Sequence, residues 1–195
     1  MKRREALKQI GLTLGYSALA PSALSILQSC TSEAKKWTPV FFTEEEAIII
    51  KNLVDLILPK TDKSPGALDV NVPQFIDLYA SKAYDDKTVV KYREEIKSIV
   101  DALPISEDGA KGLKPEDYTT LLDKYLKISK TEANQLRKER NLVFKALSNL
   151  RNQTVWAYKT SEIVGEKVLA YDPIPAQQIG CLPLDEATEG KAWSL

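Results

Sequence analysis

Apolar residues recur at helical spacing through most of this chain, and no stretch of useful length alternates as a half-buried strand does. Residues 86–103 are the clearest example. Their apolar stripe consists of Val89, Tyr92, Ile96, Ile99, Val100 and Leu103. Loops that contain proline or glycine separate such segments. The pattern therefore predicts an all-α fold, a compact helical domain of about five to six helices within residues 43–195.

Capping residues and prolines set the expected ends of these helices. The predicted helices cover residues 44–58, 72–84, 86–103, 115–128, 131–158 and 161–169. Thr43 is the expected N-cap of the first helix, and Thr131 that of the long fifth one. Apolar residues lie nearly all round the first helix, so we expect it to be deeply buried.

The first thirty residues have the layout of an export signal. A basic start is followed by a stretch without charge from Gln9 to Thr31. The residues that fit a twin-arginine signal are Arg3, Arg4, Leu7 and Lys8, with Ala6 where a phenylalanine is usual. We therefore interpret residues 1–30 as a twin-arginine signal peptide. The alternatives are an uncleaved membrane helix and a plain leader cut near Ala20 or Ala23.

The end of this leader resembles a lipobox, the sequence at which bacterial lipoproteins are acylated and cleaved. An apolar residue, Leu27, stands three positions before Cys30, and small Ser29 stands just before it, although Gln28 is bulkier than usual. Lipid attached to Cys30 would hold the chain firmly on a membrane. We thus expect residues 31–42 to be a tether, and the protein to lie in the periplasm or outer cell envelope as a membrane-anchored lipoprotein.

Composition excludes several classes of chemistry. The chain has no histidine, which excludes Ser-His-Asp and Cys-His catalysis and histidine-ligated haem, zinc or copper. Its 27 basic and 27 acidic residues balance, so no basic field suggests nucleic acid. The two cysteines, Cys30 and Cys181, could pair, but a lipid on Cys30 would leave Cys181 alone.

Four aspartates flank the first predicted loop and could in principle do acid–base work or bind calcium: Asp55, Asp62, Asp69 and Asp77. Their spacing fits no calcium loop, and aspartates are common in loops and caps. Isolated glycines form no phosphate-binding loop. We therefore expect no catalytic, cofactor-binding or metal-binding residues in this chain.

The last 25 or so residues are predicted to be an irregular tail rich in proline and glycine, yet too apolar for simple disorder. Such a segment must pack on the protein's own helices or on a partner. The candidate interface residues are Tyr171, Pro173, Ile174, Pro175, Cys181, Leu182 and Trp193. Trp156 and Tyr158 could join an aromatic surface with Tyr171 and Trp193 or belong to the core. We expect Cys181 to be a buried structural thiol.

Several motifs together resemble the gluconate 2-dehydrogenase subunit 3 family. The N-terminal ones are Leu56-Ile57-Leu58-Pro59-Lys60-Thr61-Asp62, Pro65-Gly66-Ala67 and Val72-Pro73-Gln74-Phe75-Ile76-Asp77. The C-terminal ones are Thr160-Ser161-Glu162-Ile163-Val164-Gly165, Tyr171-Asp172-Pro173-Ile174-Pro175, Gly180-Cys181-Leu182-Pro183-Leu184 and Trp193-Ser194.

The resemblance implies a non-catalytic small subunit that binds, helps to export and anchors a large dehydrogenase. That partner would be a periplasm-facing flavoprotein of the glucose–methanol–choline class, which holds FAD and oxidises an alcohol or sugar acid, and a cytochrome c would accept the electrons. This chain would hold no cofactor itself. Two rival hypotheses are a free-standing lipoprotein binding module without a dehydrogenase partner, and an enzyme that uses carboxylates and tyrosines alone.

Overall fold

Six helices of nine or more residues dominate the part of the chain that this computed structural model describes, residues 37–172 and 180–194. They are α1 (Glu44–Ile57), α2 (Val72–Ala83), α3 (Asp86–Asp101), α4 (Pro115–Leu126), α5 (Lys130–Lys138) and α6 (Leu142–Lys159). Shorter elements are a 3₁₀ turn (Ala110–Gly112), a π-helical turn (Val164–Val168) and the five-residue helix α7 (Leu184–Thr188). These residues contain two isolated β-bridges and no strand, which confirms the all-α prediction.

Helix α6 lies at the centre of the bundle and packs against all five preceding helices. Its fully buried leucines, Leu147 and Leu150, meet a core to which α1 contributes Ile49, Ile50 and Leu53. Burying side chains of this size stabilises a fold by roughly 1.5–3 kcal/mol each. Within the described residues, no helix combines the length and the apolar character needed to cross a bilayer.

Helix α1 is less buried than its composition predicts. Ile49 and Leu53 are wholly inaccessible, whereas Leu56 is 41% exposed. The helices that pack against α1 leave one side of it in contact with solvent, including Asp55. Periodicity therefore located this helix correctly and overestimated its burial.

The predicted long fifth helix is in fact two helices, because Arg140 adopts a left-handed backbone conformation that ends the first of them. The N–H of Arg140 donates to the carbonyl of Arg137, and that of Asn141 donates to Leu136, at 3.1 and 3.0 Å. This is the Schellman pattern that ends α5. The side chain of Asn141 then caps α6 by accepting from the N–H of Phe144 at 2.9 Å. The cap of α5 is Ser129 instead of Thr131.

One buried carboxylate joins the start of the described chain to α2. Asp77 is 1% exposed, and its oxygens accept hydrogen bonds from three consecutive backbone N–H groups. The donors are Val40 at 2.8 Å and Phe41 and Phe42 at 2.9 Å. These charge-assisted bonds compensate the carboxylate for its lost hydration. The segment that leads into α1 is thereby fixed on α2.

Arg93 of α3 makes a second connection to the same segment. Its guanidinium donates to the backbone carbonyl of Phe41 and lies 3.9 Å from the centre of that residue's ring. It also pairs with Glu46 of α1 at 3.1 Å, while Glu46 and Thr43 form a capping box. The entry to α1 is therefore tied to both α2 and α3.

We predict that Asp77→Ala lowers the free energy of unfolding by about 3–5 kcal/mol, because it leaves three N–H groups without their acceptor. Asp77→Asn keeps one acceptor oxygen and should cause a smaller loss, about 1–3 kcal/mol. Urea unfolding followed by circular dichroism measures both values. The exposed Asp55→Ala is the matched control and should stay within about 0.5 kcal/mol of the parent. Equal stability of the Asp77→Ala and Asp55→Ala variants would contradict the anchoring role.

Candidate partner-binding surface

A chain of touching aromatic rings runs from the buried entry of α1 to the surface of the bundle. Tyr92 contacts Phe41 and Tyr84, with ring centroids 5.6 and 5.3 Å apart. Tyr84 contacts Tyr79 at 5.5 Å, and Tyr79 contacts Trp156 at 5.1 Å. Pairs at such distances add about 0.5–1.5 kcal/mol beyond the area that they bury. The rings therefore support each other from core to surface.

Hydrogen bonds hold the inner half of this chain in place. The hydroxyl of Tyr92 donates to the side-chain oxygen of Gln153 at 3.0 Å, and the amide of Gln153 donates to the hydroxyl of Tyr84 at 2.5 Å. Burial raises the pKa of Tyr92 and of Tyr84, since a phenolate would lose its hydration there. Both phenols thus stay neutral, and they serve as structural hydrogen-bonding groups.

The outer end of the chain is what we name the aromatic patch, the side chains of Phe75, Tyr79 and Trp156. They are 39%, 38% and 41% exposed. Phe75 contacts Tyr79 at 5.9 Å and Trp156 at 5.2 Å, so the three rings form one cluster contributed by α2 and α6. Large aromatic side chains left partly exposed in one cluster are typical of protein–protein interfaces.

Two members of this patch, Phe75 and Tyr79, are not among the aromatic residues that the sequence pattern singles out. Phe75 and Tyr79 are four residues apart, so they share one side of α2, while Val72, Ile76 and Ala80 take the buried side. That spacing was the available indication. Trp156 is among the predicted surface aromatics, but its ring contacts in the described residues are with Phe75 and Tyr79 and not with Tyr158, Tyr171 or Trp193.

The ends of the predicted tail are held together. The N–H of Ala170 donates to the carbonyl of Ala192, and the N–H of Ser194 donates to the carbonyl of Ala170, both at 2.8 Å. Gly165 leaves room for this contact, because a Cβ there would lie 3.3 Å from the hydroxyl of Ser194. The tail thus begins and ends at one place beside the π-helical turn, and α7 interrupts its irregular course.

The described candidate interface residues of this tail are on the surface. Tyr171 and Trp193 are each 50% exposed, and Leu182 is 41% exposed. Cys181 is exposed, so the expectation of a buried thiol was wrong. The helices of the bundle do not cover this part of the tail. Pro173, Ile174 and Pro175 lie outside the described residues, as do Arg3, Arg4, Leu7, Lys8 and Cys30.

The four aspartates do not form one site. Asp77 binds backbone N–H groups, and Asp55 and Asp62 are exposed. Asp69 accepts from the N–H of Gly66 at 2.9 Å, which lowers the pKa of its carboxyl, and its second partner is Lys60 at 3.4 Å. No group of three or more potential metal ligands occurs in the described ranges.

The loop between α1 and α2 shows why its sequence motif contains a glycine. A Cβ on Gly66 would lie 2.6 Å from the backbone nitrogen of Lys60, which is too close for any side chain. Ala67 beside it is wholly buried, and the hydroxyl of Tyr158 on α6 donates to the carbonyl of Pro65 at 2.7 Å. These motif residues build the bundle.

The described chain is thus an all-α bundle whose surface carries a cluster of partly exposed aromatic rings. The chain belongs to the gluconate 2-dehydrogenase subunit 3 family, whose model matches residues 44–176. Membership of this family identifies it as an accessory subunit of a dehydrogenase complex. Comparison with curated proteins and with solved structures gives no match. The matched range includes Asp77 and the whole aromatic patch, and it begins just after the backbone donors of residues 40–42.

Proposed function

We propose that this chain binds a large FAD-dependent dehydrogenase of the glucose–methanol–choline class, helps to export it and anchors it to a membrane. The aromatic patch is the observation that carries this proposal. A member of an accessory-subunit family needs a surface for its catalytic partner. Phe75, Tyr79 and Trp156 supply rigid rings of the kind that dominate binding energy at such surfaces.

The proposed export function follows from the order in which a flavoprotein matures. FAD is inserted in the cytoplasm, so the flavoprotein must cross the membrane already folded. The twin-arginine pathway transports folded proteins, and one leader suffices for two tightly bound chains. Arg3 and Arg4 would direct the pair outward, and a lipid on Cys30 would hold it at the membrane. A cytochrome c is the proposed acceptor of the electrons.

We predict that Phe75→Ser combined with Trp156→Ser weakens association with the flavoprotein at least tenfold while the bundle stays folded. A tenfold loss equals about 1.4 kcal/mol, which is modest for two interface aromatics. The measurement is the flavin recovered with tagged full chain from native membranes in gentle detergent. A matched control replaces two exposed apolar residues on other helices, Leu56→Ser with Val90→Ser, and should recover flavin as the parent does.

Two outcomes of this experiment would contradict parts of the proposal. Recovery of the parent chain without any flavoprotein would contradict the subunit function itself and favour a free-standing binding module. Undiminished recovery with the folded double variant would place the interface elsewhere. Truncation after Leu169 then tests the tail, whose exposed Tyr171, Leu182 and Trp193 are the next candidates.

We predict that Arg3→Lys combined with Arg4→Lys retains both this chain and its flavoprotein in the cytoplasm. The change keeps the positive charge of the leader and removes only the paired guanidinium groups. Lys2→Gln is the control, since it removes a charge and keeps the arginine pair, and it should still permit export. Cell fractionation with dehydrogenase assays on each fraction gives the result. Export of both chains by the double variant would exclude the twin-arginine interpretation.

We predict that Cys30→Ala abolishes incorporation of a labelled fatty acid into the chain, whereas Cys181→Ala leaves it unchanged. The thioether to diacylglycerol needs the thiol of Cys30, and the thiol of Cys181 lies within the folded part of the chain. Metabolic labelling followed by immunoprecipitation measures both variants. Absence of label in the parent chain would instead support an uncleaved membrane helix or a plain leader.

A further inference from the structure

A cavity of about 530 Å³ opens between α5 and the first half of α6. This volume lies in the range of small-molecule sites, roughly 300–1,000 Å³. Its apolar lining includes Leu136, Leu142 and Phe144, and its polar lining includes Ser148 and three asparagines. The cavity is separate from the aromatic patch, because none of the three patch residues lines it.

Positive charge is concentrated around this cavity. Residues 130–151 carry six lysines and arginines against two glutamates, in a chain whose 27 basic and 27 acidic residues balance overall. Arg137, Arg140 and Lys145 line the cavity. The charge of Lys145 is offset by Glu95, whose carboxylate lies 2.9 Å from its ammonium group. Two guanidinium groups therefore determine the electrostatic character of the cavity.

Neither arginine forms an ion pair within the described residues. Arg137 donates to the side-chain oxygen of Asn134 at 2.9 Å, and its guanidinium lies 5.6 Å from the ring centre of Phe144. Both partners are uncharged, so they orient the group and leave its charge available. A planar guanidinium matches the two oxygens of a carboxylate or phosphate.

Arg140 also has an uncommon backbone conformation. Its φ of 55° is left-handed, at the position after a helix where glycine is usual. A side chain is disfavoured in this conformation, and glycine is not. A cationic side chain is nevertheless placed there, at a residue that lines the cavity together with apolar and amide side chains. Asn71 and Glu189 have the same backbone conformation elsewhere in the described chain, so the position of Arg140 beside the cavity, and not its φ alone, bears on function.

From these observations we infer that the cavity binds a small organic anion, a carboxylate or phosphate on a compact polar body. Arg140 and Arg137 bind the anionic oxygens. The amide of Asn152 can exchange hydrogen bonds with hydroxyl groups, whereas that of Asn149 donates to the carboxylate of Glu95 at 2.8 Å, and Phe144 and Leu136 supply apolar lining. A recessed site suits a small molecule better than the flat surface of a membrane.

The inference is independent of the proposed function, because the whole cavity is built from this chain and needs no flavoprotein. The experiment is titration calorimetry on the full chain in detergent at low ionic strength. Gluconate and glucose 6-phosphate are the carboxylate and phosphate probes, inorganic phosphate tests a bare oxyanion, and sorbitol tests an uncharged polyol. At least one organic anion should bind with a dissociation constant of about 1 mM or tighter. Sorbitol should not bind, and inorganic phosphate should bind at least tenfold more weakly.

Variants separate binding from folding. Arg140→Gly should weaken binding of the preferred anion at least tenfold and leave the melting temperature unchanged or raised, since glycine relieves the left-handed strain. Arg137→Gln should also weaken binding. Lys138→Gln is the matched control, because it removes one charge from the same helix at a residue that does not line the cavity.

Three results would overturn the inference. The first is that neither organic anion binds the parent chain. The second is that the folded Arg140→Gly variant binds as tightly as the Lys138→Gln control. The third is that inorganic phosphate binds as tightly as glucose 6-phosphate, which would show an oxyanion contact without a site for an organic body.

Discussion

Three consecutive backbone N–H groups, those of residues 40–42, point at one carboxylate that is almost completely buried. Asp77 holds the segment that leads into α1 on α2, and Arg93 holds the same segment on α3. These polar contacts therefore connect three helices, α1, α2 and α3, in addition to the packing of their apolar faces. Without these donors the desolvation of the buried carboxylate would be uncompensated. The anchor and the burial of the surrounding core depend on each other.

The same interaction determines how firmly the aromatic patch is held. The lead-in places Phe41 against Tyr92, and the ring contacts continue through Tyr84 to Tyr79 at the surface. The patch is thus the exposed end of a packed aromatic chain whose inner hydroxyls bind Gln153. Rings that are already immobilised lose little further freedom on binding, so more of their contact energy appears as affinity.

Helix α6 connects this patch with a second, chemically different region. Its C-terminal half contributes Trp156 to the patch, and its N-terminal half forms the wall of the basic cavity. The break between α5 and α6 is what creates that cavity, since a continuous helix would have no concave corner there. Arg140 therefore both follows the end of α5 in a left-handed conformation and lines the cavity. The proposed partner surface and the proposed anion site therefore lie towards opposite ends of α6.

The amino-acid sequence by itself determined the helical class, most helix positions and the family, because periodicity, caps, prolines and short motifs are local. It also excluded histidine chemistry. Only the tertiary structure decided that residues 131–158 form two helices, that Cys181 is exposed, and that Phe75, Tyr79 and Trp156 meet. It likewise showed Asp77 to be a backbone anchor. Each of these features depends on which other residues bury or contact a given side chain. Those contacts join residues far apart in sequence, and the local spacing of residues carries little information about them.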